Sequence, residues 1–120
     1  MAAPNIVNVT SILGKTDTFA LTTTLTTTLL TCASDKVYKI NSIIVANVDG
    51  TNAADVTITY NDQSNTRAIA STISVPADSS LNVIDKNSSF YLEEGDSIEG
   101  GASAASDLVA LISYEIMDDA

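Results

Sequence analysis

The sequence predicts an all-β fold, an antiparallel β-sandwich of the jelly-roll type with about eight to nine strands. Three observations indicate this class. Apolar and polar residues alternate along many short segments, turn-forming residues separate those segments, and β-branched residues, which favour pleated sheet, are abundant. With 120 residues the chain is expected to form one domain, residues 1–120.

The first third of the chain is predicted to hold an N-terminal segment and a long strand. Loose alternation over residues 5–14 indicates that residues 1–16 contain an extended arm or an edge strand, and Gly14-Lys15-Thr16-Asp17 is typical of a turn. In residues 19–30 leucines recur every four positions, which fits a helix face or a strand face equally. The many threonines there are poor helix formers, so a strand is favoured.

The middle third contains the longest predicted strand, residues 37–48. Simple alternation gives it apolar residues on both faces, which is typical of a central strand or of a subunit contact. One face carries Tyr38, Ile40, Ile44, Ala46 and Val48, and the other carries Val37, Ile43 and Val45. Asp49-Gly50-Thr51-Asn52 predicts a hairpin turn. Strands are expected next at residues 55–60 and 66–75, the second with Ile69, Ile73 and Val75 on its apolar face.

The last third predicts short strands at residues 80–85, 90–92 and 97–99, followed by a longer one at residues 107–117. The residues of the last strand that are expected to face inward are Leu108, Ala110, Ile112, Tyr114 and Ile116. Because Gly and Pro number only 5 and 2, the turns are expected to depend on Asn, Asp and Ser.

The charge balance disfavours two classes of partner. Fifteen acidic residues against five basic ones give a formal net charge of -10, which repels both phosphate backbones and anionic lipid headgroups. We therefore expect neither nucleic acid nor membrane as a partner. The N-terminus lacks the basic start and apolar stretch of a signal peptide, and the lone Cys32 excludes an internal disulfide. Synthesis in a cytoplasm is the resulting expectation.

The residues needed for common catalysis are scarce, so the chain is not expected to be an enzyme or to need a cofactor. The sequence has no His, which removes the usual base for a Ser or Cys nucleophile. The carboxylates Glu93, Glu94, Asp96 and Glu99 suit a glycosidase pair only if sugar-binding aromatics accompany them. There is no Trp, and aromatics make up 5% of the chain, so a solvated acidic loop is favoured.

Calcium is the metal that the sequence favours most, though weakly. Asp49, Asn52 and Asp55 surround a glycine turn and offer oxygen ligands, which calcium requires in number. Their spacing does not match an EF-hand, and a hairpin turn explains these residues without a metal. No metal site is therefore assigned, and the three residues stand as weak calcium candidates.

Two stretches carry a resemblance to a known family. They are Val37-Tyr38-Lys39-Ile40-Asn41-Ser42-Ile43-Ile44-Val45-Ala46-Asn47-Val48 with its Asp49-Gly50 turn, and Phe90-Tyr91-Leu92-Glu93-Glu94-Gly95-Asp96-Ser97-Ile98 with the later Leu111-Ile112-Ser113-Tyr114-Glu115. With them, the last two-thirds of the chain resembles small virion structural proteins of tailed bacteriophages, especially those of marine cyanobacterial phages. The resemblance implies a β-sandwich on the virion's capsid surface, a head decoration (cement) protein bound to the major capsid protein. It implies no catalytic residue.

A cement role predicts a homo-oligomer, because capsomers meet at local symmetry axes, and a trimer suits a three-fold site. The residues predicted to form interfaces are Ile6, Val7, Val9, Ile43 and Val45. The segment from Ala2 to Val9 is expected to reach the shell. Two alternatives stay open: a neck, tail or fibre protein of the virion, and a carbohydrate-binding or adhesive module.

Overall fold

The structure is a computed structural model that describes residues 11–118, and these residues form nine β-strands in two antiparallel sheets. One short 3-10 turn, Lys86–Ser88, precedes β7. The strands are β1 Ser11–Ala20, β2 Thr28–Thr31, β3 Lys36–Asn47, β4 Ala54–Asn61, β5 Thr66–Val75, β6 Ser80–Ile84, β7 Phe90–Leu92, β8 Ser97–Ala102 and β9 Leu108–Asp118. The predicted all-β class and strand number are confirmed.

The order of the strands is that of a jelly roll. One sheet has the order β1-β9-β3-β6, with β7 also paired to β3, and the other has the order β2-β8-β4-β5. Along the chain, β1 pairs with β9, β2 with β8, β3 with β6 and β4 with β5. The chain is thus one long hairpin whose tip is the β4–β5 loop, and the hairpin is rolled so that successive strand pairs fall in alternate sheets.

The core lies between the two sheets. Ile40, Ile58, Ile98 and Ile112 are completely buried there. The predicted inward face of β9 is confirmed: Leu108, Ala110, Ile112 and Tyr114 are buried, and Ile116 packs against the core while partly exposed. The ring of Tyr114 stacks on that of Tyr38 with centroids 5.2 Å apart.

The predicted faces of β3 are correct only up to Asn41. In the pairing of β3 with β9, Ile40 lies opposite Tyr114 and Ser42 lies opposite Ser113, so Asn41 is an extra residue. Such a bulge reverses the alternation that follows it. Consequently Ile43 and Val45 point into the core, whereas Ile44 and Ala46, predicted to share a face with Ile40, are only partly buried, and Val48 beyond the strand is exposed.

The predicted single strand over residues 19–30 is wrong. β1 ends at Ala20, and residues 21–27 form a corner that carries the chain from one sheet to the other. The buried Leu21 anchors the corner, and the carbonyls of Thr22 and Thr27 accept hydrogen bonds from Ala102 and Gly100 of β8. Thr27 Oγ1 also donates to the carbonyl of Thr24. Threonine hydroxyls offer the backbone such local partners outside a strand, and this corner uses them.

Two other local predictions need correction. Gly14-Lys15-Thr16-Asp17 is not a turn but part of β1, because ten consecutive residues pair with β9 without a register shift. Ile73, predicted to face inward, is exposed, since the β4–β5 register shifts near Ile58 and Thr72 has a φ of 52°. At residues 14–17 the long-range pairing with β9 outweighs the local turn propensity. At Ile73 the irregular pairing of β5 with β4 turns the side chain outward.

Any side chain at residue 101 should destabilise the fold, because the corner at residues 21–27 lies directly against Gly101. A Cβ at residue 101 would stand 2.7 Å from the carbonyl oxygen of Thr24 and 2.8 Å from that of Thr22. Backbone atoms cannot move aside cheaply, so Gly101→Ala should lower the free energy of unfolding by about 1–3 kcal/mol. Urea unfolding followed by circular dichroism measures this loss.

Gly14→Ala is the matched control, since no atom lies within 4 Å of its added Cβ. Relief of glycine's entropy cost in a strand should leave the stability of this variant equal or higher by about 0.5–1 kcal/mol. Equal effects of the two substitutions would show that the close approach at Gly101 has no energetic weight.

Candidate assembly surfaces

The first candidate surface is the free edge of β1. β1 is the outermost strand of its sheet as described, with β9 on one side. Near its start, Ile12 and Leu13 are 62% and 60% exposed, the largest exposures of large apolar residues on any described strand. A long, regular edge strand with apolar side chains is a template for pairing with another chain.

The other half of β1 is fastened to β9 by side chains. Asp17 accepts a hydrogen bond of 2.7 Å from the Tyr114 hydroxyl, and Thr16 Oγ1 donates to Ser113 Oγ at 3.3 Å. Burial and the Asp17 carboxylate together raise the pKa of Tyr114. β1 is therefore a firmly held strand, and its apolar start is an exposed part of a rigid sheet.

The second candidate surface is an apolar groove of about 360 Å³. Its lining residues come from four strands: Tyr60 of β4, Ile69 of β5, Ile84 of β6, and Phe90 and Tyr91 of β7. The groove lies between β5 and β6, which are edge strands of the two sheets. Tyr91 is 43% exposed beside it, and the rings of Tyr60 and Phe90 are 5.7 Å apart.

A buried carboxylate holds the side of the groove in place. Asp96, 4% exposed, accepts hydrogen bonds from the Tyr60 hydroxyl at 2.5 Å, from Gln63 Nε2 at 3.2 Å and from the Glu93 amide at 3.2 Å. Burial and this carboxylate raise the pKa of Tyr60. The sequence predicted that Asp96 belongs to a solvated acidic loop, and this prediction is wrong for Asp96, which is buried. Asp96 orients an aromatic wall of the groove.

The two surfaces lie at the same end of the sandwich but on opposite edges. Ser11 pairs with Asp118, which pairs with Lys36 at the start of β3. β7, with its groove residues, pairs with Tyr38–Ile40, also near the start of β3. Across the sheet, however, β1 is one edge, and β6 and β7 lie on the far side of β3.

The residues predicted to form interfaces fall into two groups. Ile43 and Val45 are completely buried in the chain's own core, so they offer no surface to a second copy in this fold. The bulge at Asn41 is the reason. Ile6, Val7 and Val9 lie outside the described residues. Sequence reasoning missed Ile12, Leu13 and the groove. The adjacent apolar residues Ile12 and Leu13 could have indicated the exposed start of β1. No sequence pattern indicates the groove, because its lining residues come from four strands.

The calcium candidates Asp49 and Asp55 lie where hydrogen bonds of the backbone amides hold the local loop structure. Asp49 Oδ1 accepts hydrogen bonds from the amides of Thr51, at 2.8 Å, and Asn52, at 3.4 Å. These bonds lower the pKa of Asp49. Asp55 lies at the start of β4, where its amide donates to Ser103 Oγ. Within residues 11–118 no three Asp, Glu, Cys or His side chains are grouped so that they could hold a metal ion.

Cys32 is buried, with 2% of its surface exposed, and its thiol contacts the carbonyl of Lys36 at 3.2 Å. Burial raises the pKa of this thiol to about 11, so it is protonated and unreactive near neutral pH. The described residues also contain no helix of the length and apolarity that crossing a membrane requires.

The solved structures that are similar to this chain include two crystal structures of a pentameric capsid protein isolated from metagenomic phage sequences, one of them solved by iodide SAD phasing. Each is 19% identical to this chain with a TM-score of 0.44, and the alignments cover 98% of this chain and 68% and 67% of the other two. This degree of similarity assigns no role to the chain. No protein-family model and no curated protein matches the sequence.

The stability of the fold should fall as the pH rises above about 10, the ordinary pKa of tyrosine. Tyr60 and Tyr114 both have raised pKa values in the folded chain. The unfolded chain therefore releases protons first, and the stabilisation present below that pH is lost as the pH rises further. Tyr60→Phe should reduce this alkaline loss. At neutral pH it should cost about 1–2 kcal/mol, because Asp96 loses a hydrogen-bond donor.

Urea unfolding at a series of pH values measures both effects, with Tyr91→Phe as the control. The Tyr91 side chain is 43% exposed, and only its backbone carbonyl bonds to Tyr60. Its replacement should change stability by no more than about 0.5 kcal/mol. An unchanged alkaline profile in Tyr60→Phe would contradict the role given to the Tyr60–Asp96 bond.

Proposed function

We propose that this chain is a structural protein of a bacteriophage virion that assembles with copies of itself through the exposed edge of β1. The observation that carries the proposal is the position of Ile12 and Leu13 at the start of a ten-residue edge strand that is paired on one side. A second chain that adds to such an edge satisfies backbone hydrogen bonds and covers apolar surface in one step.

The place of assembly is inferred from two further features. Jelly-roll sandwiches form the shells of many viruses, although lectins and cupins also use them, so the fold alone does not assign a role. The sequence resemblance to virion proteins of tailed phages favours the virion among these uses. A decoration protein on the capsid surface, bound to the major capsid protein and made in the host cytoplasm, is the specific form of the proposal.

The edge of β1 allows two kinds of assembly, and the proposed place on a capsid favours a ring over a simple dimer. Two β1 edges that pair with each other give a two-fold dimer and no larger assembly. When β1 joins a different edge of the next copy, the contact is heterologous, and a cyclic oligomer results if the rotation closes. Three copies suit a three-fold site of a capsid. Five is the number named for the similar capsid proteins and is the second ring size to be tested.

Copy number tests the location. In purified virions of the phage that carries this gene, quantitative mass spectrometry with labelled peptides should find the chain at a fixed ratio to the major capsid protein, in tens to hundreds of copies. A few copies per particle would transfer the proposal to the neck, tail or fibre. Particles that lack the chain would overturn the virion role.

Leu13→Lys should weaken self-association while leaving the fold intact. A charge at an exposed edge opposes strand addition, and the dissociation constant should rise at least about tenfold, which corresponds to 1.4 kcal/mol. Folding stability should change by no more than about 0.5 kcal/mol, because the side chain is exposed in the single chain. Light scattering over a concentration series measures the mass against 12.5 kDa for one chain.

Val48→Lys is the matched control, since Val48 is also 60% exposed but follows the other end of β3. It should assemble as the unchanged chain does. If both variants assemble normally, or if the unchanged chain is monomeric at high concentration, the β1 edge is not the assembly surface.

A further inference from the structure

The apolar groove between β5 and β6 has a size and chemistry that call for an apolar occupant. Its volume of about 360 Å³ is more than twice that of a cavity of about 150 Å³ that holds benzene, so it has room for two aliphatic side chains. Its lining of Tyr60, Ile69, Ile84, Phe90 and Tyr91 is aromatic and aliphatic. The Tyr60 hydroxyl is already bonded to Asp96.

We infer that this groove receives the apolar side chains of residues 6–9 from a second copy of the chain. The inference rests on the proposed self-assembly and names the contact that completes it. The segment before β1 contains Ile6, Val7 and Val9, separated only by Asn8. In an extended segment Val7 and Val9 project to the same side, which matches a groove with room for two such side chains.

The length and the starting point of the segment fit this contact. Val9 and Ile6 stand two and five residues before Ser11, and extended chain of those lengths spans at most about 7 and 18 Å. The segment joins the sandwich at the end where the groove lies, because both Ser11 and β7 are placed near the start of β3. The apolar residues are thus close enough in sequence to Ser11 to act at this end of a neighbouring sandwich.

The arrangement of the edges favours a neighbour over the same chain. The segment leaves from β1, at one edge of the five-stranded sheet, and the groove opens at the opposite edge, beside β6. These edges are three strand spacings apart, about 14 Å, and the chain's own segment would have to turn back across its sheet. In a head-to-tail ring the β1 edge of one copy faces the groove edge of the next, so each segment starts beside a neighbour's groove.

Disulfide trapping between two differently tagged copies tests the contact. One full-length copy carries Val7→Cys and the other carries Tyr91→Cys, whose side chain borders the groove and is 43% exposed. Cys32 does not interfere, because it is 2% exposed and its thiol pKa is raised to about 11. After mild oxidation of the mixture, a non-reducing gel should show the mixed covalent dimer. A synthetic peptide of residues 2–10 should suppress it.

The control mixture replaces Tyr91→Cys by Val48→Cys, which is 60% exposed and lies after the far end of β3. The groove mixture should give at least tenfold more mixed dimer than this control. Equal yields would show random collision and would overturn the inference. A third chain that carries both Val7→Cys and Tyr91→Cys detects the alternative occupant: an internal disulfide without the mixed dimer shows that the segment fills its own groove, which also overturns the inference.

Light scattering on the same samples separates this inference from the proposed function. A ring that forms without the mixed disulfide leaves assembly through β1 in place and refutes only the groove contact. A chain that stays monomeric and gives no mixed disulfide refutes both. Mixed disulfide together with assembly that Leu13→Lys does not weaken would support the groove contact and refute the role of the β1 edge.

Discussion

The inserted residue Asn41 in β3 decides how the two sheets fill the space between them. β3 lies inside the five-stranded sheet, between β9 and the pair β6 and β7. Before Asn41 the inward side chains are Tyr38 and Ile40, and after it they are Ile43 and Val45. Without the insertion, strict alternation would turn the last two outward and leave the second half of the strand without its core residues.

The same insertion carries a polar residue inward. Asn47, 3% exposed, donates hydrogen bonds of 2.9 Å to the carbonyls of Asn52 and Val75 and accepts one of 2.8 Å from the amide of Asp49. Its side chain thereby ties the end of β3 to the end of β5 in the opposite sheet and shapes the β3–β4 loop. Because a buried amide without partners is costly, this set of three bonds favours one register of β3 over its neighbours.

The sequence predicts those parts of the fold that depend on local pattern. β9 alternates as far as Tyr114, with its inward residues buried as expected, and a loop follows β3 at Asp49-Gly50. That loop joins strands of different sheets, so the predicted hairpin is wrong. Where long-range contacts decide, the local pattern fails. The corner at residues 21–27 lies against β8 because Gly101 leaves room for the carbonyls of Thr22 and Thr24, and nothing within the corner itself signals this. The groove is beyond sequence reasoning for the same reason, since residues far apart in the chain line it.

Some of the chain's acidic residues have a structural role in its turns. With few Gly and Pro residues, several loops are closed by carboxylates that accept backbone amides. Asp62 accepts from Ser64 and Asn65, and Asp85 accepts from Asn87, much as Asp49 does in the β3–β4 loop. These bonds lower the pKa of Asp62, so the loop keeps its charge well into the acid range. Part of the negative charge therefore serves loop geometry.

The pairing of the first described strand with the last has a consequence for biosynthesis. Ser11 pairs with Asp118, so on the ribosome β1 emerges early and stays without its partner until β9 has left the exit tunnel. A nascent or truncated chain cannot build the rigid edge that a second copy would join. Closing so long a loop is also entropically slow, and the sheet cannot be completed before β9 has been made. Chains that stop before β9 thus cannot join through the proposed edge, and topology alone excludes them there without a separate proofreading step.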